Sequence, residues 1–213
     1  MIPDLILLDC DGVIVDTEPT TNRALSKNLA KYGLHKTPEE CIDLFVGGTM
    51  VGVGETVRGM GYPLPDNWID EIYTDMFNAL KQGVATYPDL FTFLDLADDM
   101  GIPVCVLSNG PMDKMKITLT PHGLWDRFGD RIYSGYTNAN PKPDPGMLIE
   151  TMERFGARAE RTWMVDDSKN GITAGIRAGV ETFAFVPEGM HLPAAKYDHR
   201  VFGYADLIAR LKG

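Results

Sequence analysis

The sequence predicts an α/β fold: a parallel sheet covered on both faces by helices, interrupted after its first strand by a helical insertion. Three observations predict it. Short, continuous apolar runs recur along the chain; they alternate with helical patterns of about ten residues; and residues 17–83 break that alternation with helical patterns alone. Continuous apolar runs are the mark of strands buried on both faces, and their alternation with helices indicates right-handed crossovers between parallel neighbours.

The elements follow in order. Leu5–Leu8, closed by Asp4 and Asp9, reads as a fully buried strand. Ile102–Leu107, Thr162–Val165 and Thr182–Val186 are runs of the same kind, and a weaker one, Arg131–Ser134, lies between the first two of these three. Helical patterns fill the intervals at Leu90–Met100, Met112–Pro121, Pro145–Phe155 and Asn170–Ala178. Inside the insertion, Thr20–Tyr32 carries Ala24, Leu25, Leu29 and Ala30 at helical spacing, with Gly33 as its stop. Glu39–Val46 and Trp68–Leu80 read as helices too, and Pro63 and Pro65 punctuate between them. The expected domains are therefore residues 1–16 with 84–213 for the sheet, and 17–83 for the helical insertion.

Composition narrows the function classes. The 213 residues suffice for one large domain or two modest ones, and 44% hydrophobic with 23% charged residues are ordinary globular values. Thirty acidic against twenty basic residues give a net charge of −10, which repels a phosphate backbone and argues against nucleic acid as a partner. A small anionic ligand is not excluded, because it feels the local field of a pocket. Three cysteines, Cys10, Cys41 and Cys105, lack a paired or CxxC pattern, so neither a disulfide framework nor a structural zinc site is expected. No apolar run approaches the ~18 residues of a membrane span, and Leu5–Leu8 is too short and too acidic in its surroundings for a signal peptide. The expectation is a soluble cytoplasmic protein, monomer or homodimer, with no membrane partner.

The chemistry gathers at the ends of the predicted strands, where open parallel sheets bind ligands. The first strand ends in Asp9-Cys10-Asp11-Gly12, the second in Ser108-Asn109-Gly110, and a later one in Asp166-Asp167-Ser168. Lys142 lies in Asn140-Pro141-Lys142-Pro143-Asp144-Pro145, where prolines fix the backbone before a helix. Asp9, Asp11 and Asp167 are hard oxygen ligands of the kind Mg²⁺ prefers. A carboxylate can attack phosphorus if a metal and a cation offset the charge, a second carboxylate can move the proton, and a hydroxyl with backbone N–H groups can hold the phosphoryl oxygens. Cys10, between the two acids, is expected to point to the opposite face and pack. The four histidines, His35, His122, His191 and His199, show no ligand spacing and are expected in loops.

These residues carry a resemblance. DCDGVIVDTE, SNG, KPDPG and VDDSKNGITAGIRAG resemble, in order, the four motifs of the haloacid dehalogenase superfamily in its branch with a helical cap after the first motif. The resemblance implies a Rossmann-like three-layer core with a helical cap, Asp9 as nucleophile, Asp11 as general acid/base, and Ser108 and Lys142 at the phosphate with Asn109 lining its pocket. It implies Mg²⁺ bound by Asp9, the Asp11 carbonyl and Asp167 with help from Asp166. An acid two residues after the nucleophile separates phosphatases and phosphomutases from the superfamily's dehalogenases, and Asp11 stands there.

The β-phosphoglucomutase-like members of this branch carry an arginine in a cap loop and a histidine on the first cap helix. Val46-Gly47-Gly48-Thr49-Met50 and the neighbourhood of Thr20-Thr21 contain neither, which favours hydrolysis over a sugar-phosphate mutase. A catalytically silent scaffold for a phosphorylated ligand or protein partner would predict decay of a motif position, and none has decayed. VCVLSNGPMDKM, IYSGY and WMVDDSKNGITAGIRAG are similar to the 6-phosphogluconate phosphatases of the branch. The small, polar Gly47, Gly48 and Thr49 leave room for a hydroxylated chain, and Arg23 or Arg58 offers a partner for a carboxylate. The implied partner is a small phosphorylated metabolite, a sugar phosphate or sugar-acid phosphate such as 6-phosphogluconate.

Overall fold

The computed structural model describes residues 2–45, 50–137, 140–187 and 195–213. The chain forms two compact units, one of Met1–Asp16 with Ala85–Gly213 and one of Thr17–Val84.

The larger unit is built on a six-stranded sheet: β1 (Leu5–Leu8), β4 (Val104–Ser108), β5 (Ile132–Ser134), β6 (Thr162–Asp166), β7 (Glu181–Phe185) and β8 (His199–Val201). Their spatial order is β5-β4-β1-β6-β7-β8, and every pairing is parallel. The chain lays strands outward from β1 on one side, then returns and lays the rest on the other. β1 and β6 thus flank the point where the winding reverses, which is where a doubly wound sheet opens a crevice at its carboxyl edge. A two-residue antiparallel ladder, β2 (Val15–Asp16) with β3 (Ala85–Thr86), lies where the chain leaves this unit and re-enters it.

Helices cover both faces, as the apolar runs require. On one face Leu5, Leu7, Cys105, Leu107 and Met164 pack against Met147, Leu148 and Met152 of α8 (Gly146–Phe155) and Ala174 of α9 (Lys169–Ala178). On the other, Phe93 of α5 (Leu90–Asp99) and Tyr204 of α10 (Tyr204–Lys212) meet with ring centroids 5.1 Å apart, and Phe185 lies 5.3 Å from Tyr204. The short helices α6 (Met112–Leu119) and α7 (Leu124–Phe128) complete the crossover from β4 to β5. All three cysteines are buried free thiols, and among the described residues no helix is long and apolar enough to cross a membrane.

The smaller unit holds α1 (Glu18–Lys31), α2 (Pro38–Phe45), α3 (Met50–Gly59) and α4 (Trp68–Leu80) around Leu25, Leu29, Cys41, Val57, Trp68 and Ile72. A large buried polar group, Asn28, is satisfied locally. Asn28 accepts from the Trp68 indole at 2.7 Å and donates to Glu71 and Asp75 at 3.0 and 2.8 Å.

Several boundaries differ from expectation for identifiable reasons. β4 starts at Val104 rather than Ile102, because the Ile102 N–H closes α5 on the Ala97 carbonyl at 2.8 Å and Pro103 has no N–H to give. α3 escapes the periodicity because Gly52, Gly54 and Gly59 dilute its apolar face. At Gly54 a Cβ would stand 3.0 Å from the Trp68 ring, so that dilution lets two helices approach. His199 lies in β8 rather than a loop, its ring 2.8 Å from the Glu181 carboxylate, and His122 closes a 3₁₀ turn after α6. His191 lies outside the described residues.

Candidate active site

The carboxyl ends of β1, β4 and β6 converge on one ammonium group. The Lys142 Nζ donates to Asp9 Oδ1 at 2.5 Å, to the Leu107 carbonyl at 2.8 Å and to Asp166 Oδ2 at 2.7 Å. These three bonds use all three ammonium protons, and the side chain is only 3% exposed. The lysine is delivered from the β5–α8 connection, and its backbone is held by Asn109 at the end of β4. The Asn109 amide donates to the Lys142 carbonyl at 2.6 Å and accepts from the Lys142 N–H at 2.9 Å. The Asn109 side chain is thus occupied with the lysine's main chain. Asp144 accepts from the Gly146 N–H at 2.8 Å and starts α8 just beyond.

Asp9 and Asp166 sit side by side because β1 and β6 pair in register from Leu5 with Thr162 to Leu8 with Val165, and the Asp9 N–H continues the ladder to the Val165 carbonyl at 3.0 Å. Asp166 is fully engaged. Its Oδ1 accepts from the Ser168 N–H at 2.9 Å and hydroxyl at 2.6 Å, while Oδ2 takes Lys142. Ser168 in turn caps α9 by accepting from the Gly171 N–H at 3.0 Å. Two glycines make this closeness possible. A Cβ on Gly171 would lie 1.7 Å from Asp166 Oδ2, and one on Gly12, at φ +79°, would lie 2.1 Å from Asp167 Oδ2.

Asp11 follows in a tight turn, with the Ile14 and Val15 N–H groups returning to the Cys10 carbonyl. Its carboxylate pairs with the Lys114 ammonium at 2.8 Å. Lys114, on α6, is the site residue that sequence reasoning passed over. It stands inside the quoted run VCVLSNGPMDKM, six residues beyond Ser108, but nothing in its local spacing distinguishes it from a surface lysine. Ser108 is buried at the end of β4, its Oγ accepting from the Gly110 N–H at 3.0 Å. Cys10 is buried, as expected of a residue pointing to the opposite face.

Burial and mutual repulsion dominate the electrostatics. Desolvation pushes Asp9 up to about 7 against the pull of Lys142, with Asp166 and Asp11 adding repulsion. Asp167 is likewise raised, by burial first and then by Asp166 and Asp9. The fit of a metal can be judged from this donor set. Asp9, Asp166 and Asp167 each bring a carboxylate oxygen within 4.8 Å of the others. When all four carboxylates are ionised they outnumber the two ammonium groups by two charges, which a divalent cation would supply. Asp9 Oδ2 and the Asp167 carboxylate are the oxygens not already taken by Lys142 or Ser168, and the residues fit a hard divalent ion.

The remaining candidates lie in the helical unit. Arg23 is on α1, its guanidinium 3.1 Å from Thr20 Oγ1, and with Thr20, Lys27, Lys31 and Gln82 it lines a groove of about 510 Å³. Arg58 is spent within its own unit, donating to the Pro65 carbonyl at 2.9 Å. Gly47, Gly48 and Thr49 lie outside the described residues.

A doubly wound α/β unit with such a carboxylate–ammonium cluster at its winding reversal has the frame of an α/β enzyme whose site lies at the sheet's carboxyl edge. Comparison with known proteins names the family. Residues 6–185 match the haloacid dehalogenase-like hydrolase family model, and the chain belongs to that family. It is 27% identical over 195 residues to the 6-phosphogluconate phosphatase of Escherichia coli, covering 89% of this chain and 86% of that one. It is 30% identical over 183 residues to a phosphoglycolate phosphatase of Aquifex aeolicus, covering 84% and 82%. A crystal structure of a conserved haloacid dehalogenase-like protein of unknown function from Agrobacterium tumefaciens superposes with a TM-score of 0.85 at 26% identity, covering 98% of this chain and 97% of the other.

The raised acids generate a stability prediction. A carboxyl whose proton affinity is higher in the folded state contributes stability below its unfolded value, near 3.8, and that contribution fades as pH climbs through the folded value. In metal-free protein the melting temperature of Asp167→Asn is therefore expected to fall less than that of wild type between pH 5 and pH 8. Parallel curves for the two proteins, by calorimetry in a chelator, would contradict the assignment.

Proposed function

We propose that the chain is a Mg²⁺-dependent phosphatase that hydrolyses a small phosphorylated metabolite through an aspartyl-phosphate on Asp9, in the cytoplasm. Its standing as a phosphoric monoester hydrolase is supported by the family and by the phosphatase names of its relatives. The observation that carries the mechanism is the asymmetry of Asp9: one carboxylate oxygen is held by Lys142, and the other has no protein donor among the described residues.

In this reading the Asp9 carboxylate attacks phosphorus as the ester P–O bond breaks, and protonated Asp11 gives its proton to the departing oxygen. Asp11, now a carboxylate, takes a proton from the water that attacks the phosphorus of the aspartyl-phosphate, which frees inorganic phosphate and restores Asp9. Lys142 offsets the charge of Asp9 as a second anion approaches, and the Ser108 hydroxyl with the Asn109 N–H holds phosphoryl oxygens. Asp9, Asp167 and the Asp11 carbonyl would hold Mg²⁺, with Asp166 steadying the set from behind. The ion supplies charge stabilisation for the phosphoryl oxygens. Asn109 acts on the phosphate pocket by clamping Lys142.

Selectivity for the leaving group is assigned to the helical unit, to Arg23 and to Gly47, Gly48 and Thr49. A cation and small polar residues in one helical unit suit a hydroxylated chain ending in a carboxylate. The E. coli relative's name points the same way, so a sugar phosphate or sugar-acid phosphate is the proposed class and 6-phosphogluconate the first compound.

Asp9→Asn is expected to reduce turnover of p-nitrophenyl phosphate to background while the protein stays folded. Asp11→Asn is expected to lose ~10²–10⁴-fold in turnover with Mg²⁺ affinity nearly intact, whereas Asp167→Asn weakens Mg²⁺ binding itself. Mg²⁺ titrations followed by calorimetry and by activity separate the two. Equal loss of affinity in both variants would overturn the division of roles.

For the substrate, kcat/KM over sugar phosphates, 6-phosphogluconate, phosphoglycolate, nucleotides and phosphoamino acids is expected to peak among the sugar and sugar-acid phosphates. A clear preference for nucleotides would overturn the substrate class and leave the phosphatase reading intact.

A further inference from the structure

The two ammonium groups of the cluster are placed for different work. Lys142 is sealed in, with its protons committed to three acceptors. Lys114 stands at the opening, its side chain 20% exposed, paired at 2.8 Å with an Asp11 carboxylate that is 26% exposed. Its position runs against local preference. It is the third residue of α6, where the positive end of the helix dipole disfavours a cation. It is held there by its ion pair with Asp11.

The mounting is rigid. α6 is anchored by buried Met115, Thr118 and Leu119, and the Lys114 N–H and carbonyl are bonded to Pro111 and Thr118. The lysine stem passes over Gly110, where a Cβ would stand 3.8 Å from Lys114 Cδ, 3.6 Å from Asp11 Oδ2 and 3.3 Å from Ser108 Oγ. Gly110 is therefore the point at which the lysine, the acid and the seryl hydroxyl come together.

We propose that Lys114 is a positioning residue for Asp11: it holds Oδ2 from the α6 side, so that Oδ1 is the oxygen presented to the leaving group and then to water. The inference rests on the proton-transfer role assigned to Asp11 above, and adds a group that restrains its rotamer. A carboxylate on a short turn has two equivalent oxygens and a soft terminal torsion. One ion pair from a separate, buried-anchored helix removes that freedom before substrate arrives.

The test compares Lys114→Met and Lys114→Arg with wild type on aryl and alkyl phosphates of graded leaving-group pKa. Proton donation matters most when the departing oxygen is a poor leaving group. The Met variant is expected to lose kcat on alkyl phosphates by at least about tenfold more than on p-nitrophenyl phosphate, with KM within about threefold of wild type and the Arg variant recovering most of the loss. An equal loss across all leaving groups, or a loss confined to KM, overturns the proposal and assigns Lys114 to substrate binding. A crystal structure of Lys114→Met gives a readout independent of turnover: Asp11 is expected to leave its wild-type rotamer. An unmoved Asp11 overturns the positioning role even if wild type proves to hydrolyse none of these esters, a result that would fall on the phosphatase reading itself.

Discussion

The structure around the site depends on one buried ammonium group. Four acids crowd the carboxyl edge of the sheet, and three of them, Asp9, Asp166 and Asp167, bring carboxylate oxygens within 4.8 Å of one another, where they repel strongly away from water. Lys142 makes the arrangement tenable by bridging β1, β4 and β6 with three short hydrogen bonds. Such a group is costly to desolvate and is retained only when every proton is satisfied. Here each one is, and the surroundings are arranged to that end: Asn109 fixes the lysine's main chain, Ser168 and Gly171 fix Asp166, and parallel pairing fixes Asp9 beside it.

Charge is divided along the same lines. Asp166 and Lys142 form the interior half of the cluster, saturated and sealed. Asp9 Oδ2 and Asp167 form the outward half with the Asp11–Lys114 pair, and the first two keep oxygens not taken by Lys142 or Ser168. The sheet topology explains why this division falls where it does. The winding reverses between β1 and β6, so their carboxyl ends face a crevice rather than a crossover helix. Under the proposed function, a chain with a net charge of −10 would receive an anionic substrate there through the local balance of the cluster, which a divalent ion would complete, rather than through the molecular sum.

Much of this was legible in the residues themselves. Runs as apolar as Leu5–Leu8 have only one comfortable environment, and acids that close several such runs must share an edge once the strands are parallel. What the residues did not reveal was each acid's task. Asp166 and Asp167 are adjacent and chemically identical, yet register turns the first inward onto Lys142 and leaves the second half-buried beside Asp9 and Asp166. Lys114 was invisible for a similar reason: its partner lies on another strand end, and no spacing rule joins position 114 to position 11. The glycine-diluted α3 and the brief β8 were missed because their stability comes from neighbours such as Trp68 and Phe183 rather than from their own pattern.

The central claim is that Lys142 compensates Asp9 and Asp166 as one coupled unit, and a double-mutant cycle in urea measures it most directly. Lys142→Met strands two buried carboxylates and is expected to cost about 3–5 kcal/mol. Adding Asp166→Asn to that variant removes one stranded charge and is expected to restore at least about 1 kcal/mol, although Asp166→Asn alone destabilises. Strict additivity of the two substitutions, or a Lys142→Met protein as stable as wild type, would contradict the account.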